Sequence, residues 1–218
     1  MASVRAALVD YGAGNLRSVA KSLERSGFAV DVTSDPATVA RADGVVLPGV
    51  GAFRDAAERL RASGLEDACK RAMQDGRPYL GLCFGLQLLF EEGTEHGVTK
   101  GFGLLGGRVE RFPEKDEDGT PLVVPHIGWN EVRFDASANP DHPMLSRLPE
   151  RDHFYFVHSY RPVPTDPSVI VGRTTYGGEF ASAVASGTIF AAQFHPEKSQ
   201  HAGHRLLDAY RAWVEAAR

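Results

Sequence analysis

Arg77-Pro78-Tyr79-Leu80-Gly81-Leu82-Cys83-Phe84-Gly85-Leu86-Gln87-Leu88-Leu89-Phe90-Glu91-Glu92-Gly93 passes from an apolar segment into a helix-like one, with one cysteine between two glycines at the junction. The form is Gly-x-nucleophile-x-Gly on a strand-to-helix turn. Such an elbow holds the reactive residue in a strained backbone conformation, and a side chain on either glycine position would collide with the turn. It sets the thiol at a helix N-terminus, where unpaired N–H groups favour a thiolate. It also aims the Phe84 N–H at the oxyanion of a tetrahedral intermediate. Free cysteines are, however, among the residues most often buried for packing alone. The pentapeptide therefore leaves two readings of Cys83 open, nucleophile or core thiol.

Working back from Cys83, strand and helix signals alternate. Apolar runs at 4–9, 28–33, 44–47 and 79–82 read as strands, and periodic stretches at 15–26, 36–42, 53–62 and 65–74 read as helices. Alternation of this kind means βαβ units, a mostly parallel sheet and helices on both faces. Beyond residue 101 the rhythm changes. Short segments at 107–112, 129–134, 154–160, 169–174, 181–186 and 189–194 are separated by Gly, Pro, Asn and Asp turns and read as antiparallel additions. The acidic run 113–121 reads as a solvated loop, and a last helix starts near His201. With no repeat, low-complexity tract or linker, the expectation is one α/β domain over residues 1–218, an open, mostly parallel sheet flanked by helices with antiparallel additions.

Composition narrows the function classes. The chain has 218 residues, 43% hydrophobic and 24% charged, with a formal net charge of −4. That balance is ordinary for a globular domain and provides no basic face for nucleic acid and no polybasic membrane anchor. No apolar run reaches membrane-spanning length. The opening residues, broken early by Arg5 and Asp10, do not read as a secretory signal. Two cysteines cannot build a disulfide framework, so a reducing cytoplasm is expected. Cys69 falls within a helical stretch and reads as packing. His201 and His204 share a helix face without a third ligand; His96, His142 and His153 read as solvated loop residues. Neither metal nor cofactor is expected. Gly12-Ala13-Gly14 completes no G-x-G-x-x-G and has no P-loop Lys-Ser/Thr after it, which rejects a nucleotide site there.

A thiol nucleophile needs a base, and an imidazole base needs a group that fixes its tautomer. Gln193-Phe194-His195-Pro196-Glu197-Lys198-Ser199 offers both at the end of another expected strand. Pro196 restricts its own φ and the residue before it, and Glu197 can turn back onto the imidazole nitrogen that faces away from the thiol. Alone, His-Pro-Glu would read as a surface turn. Beside an elbow it becomes the favoured partner, because the C-terminal ends of parallel strands share one edge of the sheet.

A Gly-x-Cys-x-Gly elbow followed about 110 residues later by His-Pro-Glu resembles the class I glutamine amidotransferase family, over nearly the whole chain. Four further stretches narrow the likeness: Asp10-Tyr11-Gly12-Ala13-Gly14-Asn15, Pro48-Gly49-Val50-Gly51-Ala52-Phe53, His126-Ile127-Gly128-Trp129-Asn130 and Phe154-Tyr155-Phe156-Val157-His158-Ser159-Tyr160. They are similar to the branch whose members hand ammonia to a (β/α)8-barrel cyclase subunit in histidine biosynthesis. The resemblance implies a flavodoxin-like fold, L-glutamine as substrate, no cofactor and a heterodimer with the cyclase. It implies catalysis by Cys83, His195 and Glu197, an oxyanion hole from Phe84 and a reorienting peptide at Val50 and Gly51, and glutamine contacts from Gln87, Glu95, Ser159 and Tyr160. The family more often has Thr at the position of Ser159. Asn15, Trp129, Asn130, Tyr155 and Lys198 match positions at the cyclase interface or gate, although Asn15 also suits a helix N-cap and Trp129 and Tyr155 also suit a core. The nearest rival is a glutaminase subunit serving another acceptor, in pyridoxal phosphate, anthranilate or nucleotide synthesis. Further off stand a self-sufficient cysteine peptidase and a non-catalytic binding subunit.

Overall fold

Strands covered on both faces read as unbroken apolar runs, and residues 6–9, 44–47 and 79–82 do so here. The computed structural model describes residues 3–12 and 14–218; Ala13, inside one of the quoted stretches, lies outside them. In β1 (Arg5–Val9), β3 (Gly44–Leu47) and β4 (Tyr79–Leu82) successive side chains go to opposite layers. Ala6, Leu8, Val46, Leu80 and Leu82 enter one apolar layer, and Ala7, Val9, Val45, Leu47 and Tyr79 enter the other. Between them in sequence lie α1 (Leu16–Arg25), β2 (Ala29–Thr33), α2 (Pro36–Arg41), α3 (Phe53–Ala62) and α4 (Leu65–Gln74). Val19, Ala20 and Leu23 of α1 close the first layer, whereas α2, α3 and α4 close the second.

After β4 come α5 (Phe84–Gln87), β5 (Phe90–Gly93), β6 (Thr99–Lys100), β7 (Leu105–Arg111), β8 (His126–Phe134), β9 (Arg151–His158), β10 (Tyr160–Pro164), β11 (Ile170–Thr175), β12 (Glu179–Ser186), β13 (Ile189–Ala192) and α6 (Gln200–Ala216). The large sheet has nine strands in the order β2-β1-β3-β4-β13-β12-β11-β8-β9. It is parallel from β2 to β13 and antiparallel from β13 to β9. β13 thus lies beside β4, which puts the chain leading to His195 next to the chain leading to Cys83.

Three expectations need correction. The helix after Cys83 is a single turn, because Leu86, Leu88, Leu89 and Phe90 are all fully buried and the chain swings into β5, which pairs with β7. An all-apolar run cannot distinguish a buried helix from a buried strand by period. The 154–160 segment is two strands in two sheets: β9 pairs with β8, while Tyr160 opens β10, which pairs with β7 in a four-stranded sheet β10-β7-β5-β6. Lastly, His142 is buried rather than solvated. Its Nε2 donates to the Ile189 carbonyl at 3.1 Å, its ring packs on Trp213, and burial lowers its pKa to about 4. His153 is exposed, but on β9 rather than in a loop, and His96 is exposed.

Candidate active site

Cys83 follows the last residue of β4 and adopts φ 53°, ψ −99°, a left-handed conformation in a non-glycine residue. Holding it there costs about 1–3 kcal/mol, and its neighbours stabilise it. The Cys83 N–H donates to the Ala192 carbonyl at 2.7 Å, which carries the β4–β13 pairing right into the turn. Both flanking glycines are sterically required: a Cβ on Gly85 would overlap the Leu47 carbonyl oxygen, and one on Gly81 the Gly85 carbonyl. Cys83 itself is 3% exposed.

His195 is fixed through its backbone from two sides. Its N–H donates to the Tyr155 carbonyl at 2.9 Å, and the buried Ser199 hydroxyl donates to the His195 carbonyl at 2.6 Å while accepting from the Tyr155 N–H at 3.0 Å. A 3₁₀ turn over Pro196–Lys198 brings Glu197 back beneath the ring, where Nδ1 donates to Glu197 Oε1 at 2.8 Å. Nε2 is left as the atom available to the Cys83 sulfur; it and Glu197 Oε2 are buried without a well-aligned hydrogen-bond partner among the described residues. Burial opposes charge on this imidazole, but the Cys83 sulfur and the Glu197 carboxylate outweigh it and push the pKa up to about 10. The ring is paired on one edge with a carboxylate and faces a sulfur on the other, an arrangement that favours its protonated form.

The expected oxyanion and substrate residues converge. Val50, Gly51, Phe84, Gln87, Glu95, Ser159 and Tyr160 all line one cleft with Cys83, about 290 Å³ in volume. Gln87 Nε2 donates to the Tyr160 carbonyl and to Gln193 Oε1, each at 3.1 Å. Both amide hydrogens are thereby committed, so Gln87 has only Oε1 to present to a ligand, as an acceptor. The Glu95 carboxylate accepts from the Phe53 N–H at 2.7 Å, anchoring a second acceptor on the same wall. Gly51 has φ 113° and open space where a side chain would stand, and Val50 is 43% exposed.

The five residues expected at an interface separate into two kinds. Asn15 caps α1, accepting from the Ser18 N–H at 3.4 Å, so the capping role is present whatever else it does. Trp129 is 49% exposed beside Ile127 and is no core aromatic. It meets Tyr155 edge-on at 6.4 Å, and Lys198 Nζ stands 5.5 Å from the Tyr155 ring centroid. Lys198 and Asn15 also line a small cavity of about 20 Å³ with His195, Glu197 and Val50. Asn130 is half-buried and bonded inward, as described below.

Sequence reasoning missed Gln193, whose Nε2 donates to Cys83 Sγ at 3.5 Å, and Ser199, the bridge between Tyr155 and His195. Both flank His-Pro-Glu, but nothing in their spacing says which way the side chains turn. Among the described residues, no group of three or more His, Cys, Asp or Glu is arranged to hold a metal ion, and no helix is long and apolar enough to cross a membrane.

A family model, Glutamine amidotransferase class-I, matches residues 7–210. The chain belongs to that family. It is a glutamine amidotransferase, an enzyme that takes the amide nitrogen of glutamine. Among curated class I relatives, imidazole glycerol phosphate synthase subunit HisH of Methylococcus capsulatus is 48% identical, covering 95% of each chain. The protein of the same name from Synechococcus sp. is 46% identical, over 98% of this chain and 96% of its own. Solved structures share the fold at low identity. PurLQS from Thermotoga maritima matches with TM-score 0.71 and 19% identity over 98% of this chain and 100% of that one. The glutaminase domain of Trypanosoma brucei CTPS, with acivicin bound, matches with TM-score 0.66 and 17% identity over 99% and 94%.

Proposed function

We propose that this chain is the glutaminase subunit of an imidazole glycerol phosphate synthase. It hydrolyses L-glutamine at Cys83 and passes the ammonia to a (β/α)8-barrel cyclase subunit in a heterodimer. The cyclase uses that ammonia to make imidazole glycerol phosphate and an aminoimidazole carboxamide ribotide on the route to histidine. The curated relatives carrying that name support the choice of acceptor. The observation that carries the chemistry is the strained Cys83 beside an imidazole held by Glu197. The apolar layers on the two faces of one sheet support a single domain over residues 1–218, and two free cysteines suit the cytoplasm.

In this reading the Cys83 thiolate attacks the γ-carboxamide carbon of glutamine. His195 gives its Nε2 proton to the departing nitrogen, the C–N bond breaks, and ammonia leaves a γ-glutamyl thioester. Water then attacks the thioester as His195 takes its proton, and C–S cleavage releases glutamate and restores the thiolate. Glu197 keeps Nδ1 protonated and so directs Nε2 at the sulfur. Gln87 Oε1 and the Glu95 carboxylate are acceptors suited to the α-ammonium of glutamine, with Ser159 and Tyr160 closing the same wall. The Phe84 N–H is one oxyanion donor, and the Val50–Gly51 peptide supplies the second after reorienting. Trp129, Tyr155, Lys198 and Asn15 form the face that meets the cyclase and gates ammonia, and Asn130 stands behind it on the other side of β8.

A missing oxyanion donor costs about 10²–10³ in kcat, so the lone chain should be a poor glutaminase. Steady-state kinetics on the lone chain, on its complex with the cyclase and on the complex with a cyclase ligand test this. The expected result is a rise in kcat of about 10²–10³ with little change in KM. Full turnover by the lone chain would reject the switch and reopen the stand-alone hydrolase.

A further inference from the structure

Two buried histidines outside the proposed catalytic group lie directly opposite each other on β8 and β9. His126 Nδ1 and His158 Nε2 are 3.1 Å apart. His158 Nδ1 lies 2.8 Å from the Tyr160 carbonyl oxygen, and His126 Nε2 lies 3.3 Å from the Asn130 side-chain nitrogen. The contacts allow one assignment of protons to neutral rings. A carbonyl can only accept, so His158 carries its hydrogen on Nδ1 and accepts at Nε2. His126 must then donate from Nδ1 and accept at Nε2. At the outer end the Asn130 amide is oriented independently: its nitrogen donates to the Thr175 carbonyl at 3.0 Å, and its oxygen accepts from the Glu131 N–H at 2.8 Å. That orientation offers an N–H to His126, so the two ends of the chain agree.

The surroundings keep both rings neutral. His126 is stacked between Tyr176 and Phe156, with ring centroids at 4.0 and 4.7 Å. Phe112 and Phe180 pack against His158 at 5.2 and 5.5 Å. Burial lowers the pKa of His126 to about 4 and that of His158 to about 3. A second proton on either ring would set two N–H groups against each other in a desolvated site, which is costly. The inner end matters because the Tyr160 carbonyl accepts from both His158 Nδ1 and Gln87 Nε2, at the break where the chain leaves the nine-stranded sheet for the smaller one.

We propose that Asn130, His126 and His158 form a hydrogen-bond relay of fixed direction that runs from Asn130, on the side of β8 opposite Trp129, to the Tyr160 carbonyl in the cleft wall, with the two histidines acting as positioning residues for Gln87. Its kinetic consequence rests on the glutaminase reading; the proton assignment does not. Imidazole ¹⁵N NMR of the full chain at pH 7 should show both rings neutral and protonated on Nδ1. A charged ring, or an Nε2–H tautomer at either position, overturns the relay. Asn130→Asp replaces the outer donor with an acceptor, so His126 Nε2 must gain a proton; an unchanged His126 also overturns it.

Two variants test the inner end by kinetics on the cyclase complex. In His158→Asn the amide nitrogen stands where Nδ1 stood and still donates to Tyr160. In His158→Gln the polar end stands where Nε2 stood, and Gln87 is left as the only side chain on that carbonyl. One neutral hydrogen bond sets the scale, so His158→Gln should raise KM for glutamine about fivefold, with kcat changed less. His158→Asn should stay within about twofold of the parent. Equal effects in the two variants would reduce His158 to packing and overturn the positioning role. A parent complex without glutaminase activity would strike the glutaminase reading instead, leaving the NMR test of the relay intact.

Discussion

The two halves of the nine-stranded sheet are built on different terms. β3, β4 and β13, in or bordering the parallel half, are buried at every position, whereas β8 and β9 alternate between buried and exposed residues. The parallel half supplies rigidity: its inner strands β1, β3 and β4 are clamped on both faces, and that clamp holds Cys83 in a conformation it would not choose alone. The antiparallel half has a free face, and there it carries Trp129 and Ile127 in the open while turning His126 and His158 inward. A strained reactive atom needs a support that cannot relax. A surface that meets a partner and a wall that shapes a cleft need strands with two different sides.

The proposed chemistry depends on a junction between these halves, and its largest predicted effect lies there. Cys83→Ala and His195→Ala should each lower glutamine turnover of the cyclase complex by about 10⁴-fold or more, because members of such a group act as a unit. Glutamate release measures this, with cyclase binding unchanged. A large loss for Cys83→Ala beside a small one for His195→Ala would break the pairing across the junction. Glu197→Gln should lose about 10- to 100-fold less than His195→Ala, since the base survives with its orientation impaired; equal loss would give Glu197 more than an orienting role.

Smaller effects probe the parallel half alone. Gly85→Ala forces a Cβ onto the Leu47 carbonyl oxygen and should destabilise the fold by about 3 kcal/mol in chemical denaturation. An unchanged midpoint would mean that the clamp yields more easily than its packing implies. The mildest test compares two thiols of the same layer. Cys69 on α4 is fully buried, and burial, with Glu66 nearby, pushes its pKa up to about 12. Iodoacetamide at pH 8 should therefore label Cys83 in the native complex and reach Cys69 only after unfolding. Equal native labelling would remove the distinction between elbow and helix.

Legibility followed the same division. In the parallel half the expected strands at 44–47 and 79–82 and helices at 53–62 and 65–74 coincide with the observed elements. Local periodicity and glycine placement suffice where each strand is covered on both faces and each helix has one apolar side. Gly81 and Gly85 flagged the elbow because their reason is local: backbone passes too close for any Cβ. The run from Leu86 to Phe90 did not resolve, since burial on all sides erases the period that separates helix from strand.

Residue types and order alone pointed to a thiol, an imidazole and a carboxylate, and to α/β layers that would bring strand ends to one edge. Only the tertiary structure decided that β13 lies beside β4, that 154–160 divides between two sheets, and that His142 is buried. The directions of Gln193, Ser199, His126 and His158 belong to the same class. Each depends on a hydrogen-bond partner dozens of residues away or on a neighbouring strand, and a buried polar side chain turns toward whichever partner the fold supplies. No local pattern encodes that partner, because it exists only once the strands have paired.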